Sequence, residues 1–109
     1  MIKWYRKIIE KLAEWIQFEY RYYFVDEIPE NICQRSIYIV GEKEQPWLIA
    51  FRCPCGCNNL IQLNLLKEAR PRWNYVVSKK NKITVKPSIW RNVDCRSHFF
   101  IRKSKIKWA

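Results

Sequence analysis

Arg52-Cys53-Pro54-Cys55-Gly56-Cys57 sets three thiols within five residues, and Cys95-Arg96-Ser97-His98 supplies a further thiol and an imidazole three residues apart. Tetrahedral zinc selects two tight clusters of soft and borderline donors, because each local pair fixes one edge of the tetrahedron and the fold then joins the edges. Pro54 and Gly56 bend the backbone so that thiolates converge and amides reach sulfur, as such centres require. Five candidates exceed the four places of a structural ion. The residues leave open whether Cys55 and Cys57, or Cys53 and Cys57, are completed by Cys95 and His98. One Zn2+ per chain is expected, with an iron-sulfur cluster of mixed ligation as the alternative. Four protein ligands leave no open coordination position, which marks the ion as structural. A spare fifth thiol beside the metal would instead be available as a nucleophile of lowered pKa.

Other catalytic apparatus is thin in the sequence. The chain has one histidine, already claimed by the metal set, with Asp94 the one acid near it, and two glycines, too few for a phosphate-cradling loop. No catalytic residue is assigned on these grounds, and a binding module is expected over an enzyme. Arg70-Pro71-Arg72-Trp73 and Pro87-Ser88-Ile89-Trp90-Arg91 each place Arg beside Trp after a proline. Such pairs grip acidic groups or stack on bases, although Trp closing the core explains them as well. With Arg96, Arg102 and Lys103 they form the candidate partner or nucleic-acid contacts.

Five cysteines are an odd number and three of them are too crowded for an ordinary disulfide framework, so metal in a reducing, cytoplasmic setting is the expectation. Cys33, standing alone, reads as a small buried hydrophobe.

Tyr5, Ile9, Leu12, Ile16, Tyr20 and Tyr23 recur at steps of three and four with charged residues between them, which predicts an amphipathic helix within residues 1–28. Charges interrupt every apolar run there, so no stretch reaches the roughly 18 uncharged residues of a membrane span, and no secretory signal is legible. After Pro29 the pattern shortens to seven candidate strands, at 36–40, 47–52, 60–66, 73–78, 82–86, 98–102 and 105–108. Polar breaks at 41–46, 79–81 and 103–104 suit hairpins. The expected architecture is a β-rich α+β domain: an N-terminal helix, residues 1–28, on a mainly antiparallel sheet with a zinc knuckle, residues 29–109. In 109 residues, 49% of them hydrophobic and 16% aromatic, there is one core and one compact domain.

The charge is segregated. Residues 1–69 carry nine basic and nine acidic side chains, whereas residues 70–109 carry twelve basic and one acidic, so the whole net charge of +11 sits in the last forty residues. Strand alternation projects Lys82, Lys86, Arg102, Lys105 and Lys107 to solvent as one basic surface.

Cys53-Pro-Cys-Gly-Cys57, Leu60-Ile-Gln-Leu-Asn-Leu-Leu66, Arg70-Pro-Arg-Trp73, Pro87-Ser-Ile-Trp-Arg91 and Cys95-Arg-Ser-His-Phe-Phe-Ile-Arg102 resemble the motifs of the bacterial domain-of-unknown-function family 6527, over about Pro29 to Trp108. The resemblance implies a small zinc-binding protein whose genes are sometimes found near prokaryotic ubiquitin-like conjugation genes. It carries over to Cys53, Cys55, Cys57, Cys95 and His98, with Asn58 standing where that pattern expects Gly. The leading expectation is therefore a zinc-stabilised module in protein-protein interaction, an accessory or ligase-like adaptor of a bacterial ubiquitin-like modification or defence system. Its partner would be a protein with an acidic surface, such as a ubiquitin-like or conjugating-enzyme component. The alternatives are nucleic-acid binding through the basic half and an enzyme with a metal-adjacent cysteine.

Overall fold

The computed structural model describes residues 19–91 and 95–109. Eight strands run in chain order: β1 (Arg21–Val25), β2 (Ser36–Glu42), β3 (Gln45–Arg52), β4 (Leu60–Asn64), β5 (Asn74–Val77), β6 (Ile83–Trp90), β7 (His98–Arg102) and β8 (Lys105–Trp108). They form two four-stranded sheets, β1-β2-β3-β4 and β5-β6-β7-β8. Every pairing is antiparallel except that of β1 with β2.

The α+β expectation is corrected by this architecture. The described residues are all-β and contain no helix, and the last part of the expected N-terminal helix is instead strand β1, in register with β2 from Arg21↔Ser36 to Val25↔Val40. Tyr20, Tyr22 and Phe24 also recur at steps of two, so the same aromatic residues fit an extended pattern. Arg21-Tyr-Tyr-Phe-Val25 is built of aromatic and β-branched residues that fit a pleated surface, and an open edge of β2 gives their backbone groups partners. The part of the expected helix before Glu19 lies outside the described residues.

Alternation decides what faces the core. Ile37 and Ile39 of β2, Ile49 and Phe51 of β3, and Ile61 and Leu63 of β4 meet Ile83, Val85 and Ile89 of β6 and Phe99 and Ile101 of β7 in one buried cluster. Phe51 and Phe99 cross between the sheets edge to face, ring centroids 6.2 Å apart, a geometry aromatic quadrupoles favour. The five residues from Ser36 to Val40 are all buried because β2 is covered on both faces. Tyr38, Val40 and Leu48 form a second cluster under Val25, Ile28 and Ile32, on and just after β1.

Turn chemistry sets the hairpins. Lys103 and Ser104 both have positive φ, 50° and 64°, as a two-residue hairpin loop of matching twist requires. Gly41 has φ +123°, and a Cβ there would lie 2.4 Å from Trp47 Cδ1, so only glycine fits the register shift between Val40 and Gly41. Among the described residues no helix is long and apolar enough to cross a membrane.

Candidate functional site: a cysteine cluster and a serine-histidine pair

The connection from β3 to β4 and the one from β6 to β7 meet at one end of the two sheets. Cys53 follows the last residue of β3, and Gly56 and Asn58, with φ of 93° and 64°, turn the chain back toward β4. Cys53 N–H donates to the Asn59 carbonyl at 2.8 Å and closes the knuckle. Arg52 donates to the Asn58 carbonyl at 2.8 Å and Gln34 to Asn58 Oδ1 at 2.7 Å, which holds the loop from outside. From the other connection comes Cys95, and the sulfurs of Cys53, Cys55, Cys57 and Cys95 all lie within 4.8 Å of one another.

That spacing is compatible with a metal site. Four thiolates about 2.3 Å from a central zinc would be about 3.8 Å from one another. Here Cys53 Sγ stands 3.3 Å from Cys55 Sγ and 3.5 Å from Cys95 Sγ. Cys57 N–H points at Cys55 Sγ from 3.4 Å, the amide-to-sulfur support that thiolate centres need. Cys53 is fully buried, and burial pushes its thiol up to about 12. Cys95 moves the other way, to about 6, because the Ser97 hydroxyl 3.0 Å away and the Ser97 backbone amide stabilise its thiolate. Hydrogen bonding to the Ser97 hydroxyl likewise lowers Cys55. Four thiolates this close repel one another, and a divalent cation is the charge that offsets them.

His98 is placed apart from that group. It is the first residue of β7, and its Nε2 lies 2.9 Å from Ser88 Oγ on the neighbouring strand β6. With the ring proton on Nδ1, Nε2 is free to accept from the hydroxyl. A bulge aims the serine: Val85 pairs with Ile101 and Ile89 with Phe99, so three residues, Lys86, Pro87 and Ser88, stand against the single Phe100. Bulges of this kind re-aim side chains beside active sites. Trp73 Nε1 donates to the Ser88 carbonyl at 3.4 Å and ties the bulge to the sheet. The Trp90 indole stacks on the imidazole with centroids 5.1 Å apart and planes at 15°, while the Phe100 ring is 6.0 Å away on the same strand as His98. Ser88 also lines a groove of about 370 Å³ with Lys86, Pro87, Phe100 and Arg102.

The two constellations share a segment. Ser97, buried at 7% exposure, bonds the sulfurs and is the residue before His98. Whatever fixes Cys95 therefore fixes the start of β7.

A family model described as bacterial ubiquitination-like system serine protease (BubE) matches residues 24–109. The chain belongs to the BubE family. No curated protein and no solved structure matches it. BubE membership supports the association with bacterial ubiquitin-like systems that the motif resemblance implied. A BubE chain is thus described as a serine protease, and in this one a serine and the only histidine of the sequence are hydrogen-bonded.

The other residues singled out from the sequence are dispersed in this BubE chain. Arg70 is exposed and donates to the Lys67 and Ala69 carbonyls at 3.0 and 2.7 Å. Arg72 is half-buried and its Nε has no hydrogen-bond partner. Trp73 packs on the core, whereas Trp90 is 66% exposed over His98. Arg91 is half-buried, Arg96 is exposed, and Arg102 lies 4.4 Å over the Phe100 ring with Lys103 beside it in the hairpin turn. Cys33 is exposed, not buried as expected, because residues 26–35 run across the outside of the sheet. Ser88 stands within Pro87-Ser88-Ile89-Trp90-Arg91, where residue type and spacing alone assign it no role. The distinguishing sign was a serine beside a proline inside an otherwise regular strand, which is where a bulge is accommodated.

Proposed function

We propose that this chain is a serine protease of a bacterial ubiquitination-like system, with Ser88 as nucleophile and His98 as general base. The Ser88 Oγ to His98 Nε2 contact of 2.9 Å, in a chain of a family described as serine proteases, carries this reading. His98 takes the hydroxyl proton as Ser88 Oγ attacks the carbonyl carbon of a peptide or isopeptide bond, then returns it to the leaving amine. An acyl-enzyme results, and water activated by the same imidazole hydrolyses it. Trp90 orients the ring and Trp73 holds the bulge that presents the hydroxyl. The partner is accordingly a protein, met as substrate in place of the adaptor's client.

In this reading the fourth metal ligand is a thiolate and His98 is reserved for Ser88. Cys53, Cys55, Cys57 and Cys95 would hold one Zn2+, whose role is structural because four protein ligands close its coordination shell. An all-thiolate set also suits an iron-sulfur cluster, and elemental analysis with an absorption spectrum separates the two.

Fluorophosphonate probes phosphonylate activated serines, so labelling tests the pair without a known substrate. Modification is expected at Ser88 by peptide mass spectrometry, none in Ser88→Ala, and labelling slowed about 100-fold or more in His98→Ala. Equal labelling of His98→Ala and the unaltered chain would overturn the assignment.

A further inference from the structure

The outer face of the β5-β6-β7-β8 sheet carries a trough of about 1110 Å³ lined by eight Lys and Arg side chains and one acid, Glu19. Glu19 is already paired with Lys82, and that hydrogen-bonded partner holds its carboxyl below the usual range. Lys105 also contributes to lowering Glu19, and the other cations have no further carboxylate among the residues that line the trough. Lys105 and Lys107 of β8 and Arg102 of β7 stand on adjacent strands, with Lys86 on β6, because strand alternation sends all of them outward while Ile101 and Val85 face the core. Thr84, Lys86 and Arg102 also line the groove at Ser88. The trough therefore runs into the groove that holds the nucleophile.

Building on the protease reading, we propose that this trough binds an acidic segment of the protein substrate and so delivers the bond beside it to Ser88. Like charges held this close raise the potential of a concave surface and favour a polyanion over a neutral chain. Arg102 is held in place for a carboxylate: its guanidinium carbon lies 4.4 Å from the centroid of the Phe100 ring. A nucleic acid would meet the same charge. Single-stranded nucleic acid, however, gains much of its hold from aromatic platforms on which bases stack, and none of the residues lining the trough is aromatic. An acidic polypeptide needs only the cations.

The test uses the full chain with Ser88→Ala, so that nothing is cleaved, and fluorescence anisotropy of labelled peptides. A six-glutamate peptide is expected to bind. Its six-glutamine counterpart should bind at least tenfold more weakly, and Lys105→Glu/Lys107→Glu should weaken the glutamate peptide by at least tenfold. Fluorophosphonate labelling of the same double variant with Ser88 intact should match the unaltered chain, because Lys105 and Lys107 lie outside the Ser88 groove. Equal binding of the two peptides, or no effect of the double variant, would overturn the proposal. Tighter binding of a labelled hexathymidylate than of the glutamate peptide would overturn it in favour of nucleic acid. No labelling of the unaltered chain, with acidic-peptide binding intact, would instead overturn the protease reading and leave the trough standing.

Discussion

At the scale of single residues, the proposed reading gives the thiols and the Ser88 hydroxyl different roles. The thiols are crowded, so each thiolate raises the cost of the next and a cation is the natural way to relieve it. The hydroxyl of Ser88 has no such neighbours and one base, at 2.9 Å. The ring of that base is held by contact with Trp90, whose 66% exposure means that it adds little to the core. Trp90→Ala is therefore expected to leave the melting temperature within a few degrees while slowing fluorophosphonate labelling of Ser88 about tenfold, since an imidazole free to rotate spends less time facing the hydroxyl. Stopped-time labelling read beside a thermal melt checks both halves. A large fall in melting temperature with unchanged labelling would show a packing role for the indole instead.

At the scale of elements, irregularities in strands place the chemistry. The bulge at Lys86–Ser88 turns Ser88 toward the neighbouring strand, and Gly41 performs a comparable service in β2, where a side chain would run into Trp47. Gly41→Ala should destabilise the fold by about 1–3 kcal/mol, since alanine is strained at φ +123° and its Cβ would collide with the indole. Urea unfolding measures this, and a change under about 0.5 kcal/mol would mean that the β2–β3 turn has a second conformation open to it. Elements also explain what was legible and what was not. The seven strands after Pro29 follow from alternating apolar and polar residues between turn signals, and their hairpins follow from Lys79-Lys80-Asn81 and Lys103-Ser104. Strand β1 was hidden because aromatic residues at steps of two and three satisfy both a helical and an extended pattern, and only the open edge of β2 decides between them.

For the whole molecule, the cysteine cluster joins the two sheets at one end, two residues beyond Phe51, whose ring meets Phe99 across the sheets. Structural zinc contributes on the order of 10 kcal/mol in small modules. Protein purified without added metal or a polyhistidine tag should hold one zinc per chain, and chelation should lower the melting temperature by more than ten degrees. Chelation should also abolish labelling of Ser88, because the Cys95–Ser97 segment sets the position of His98. Elemental analysis, calorimetry and labelling on one sample read all three. Labelling that survives complete metal removal would show that the pair of β6 and β7 is held by the sheet alone.

Read from the sequence, the two donor clusters, the segregated charge and most strands were determined by local properties: residue type, spacing and alternation. Which donors come together was not among these, because it depends on which strand ends coincide in space. Cys95 and His98 are close neighbours in the chain, yet one turns toward the thiols and the other starts β7 and meets Ser88 of β6. The pairing of β6 with β7, and the bulge that lengthens one strand against the other, decided that division. A serine-histidine pair ten residues apart has no fixed separation until a sheet sets it, and that is why the pairing of Ser88 with His98 became visible only in the tertiary structure.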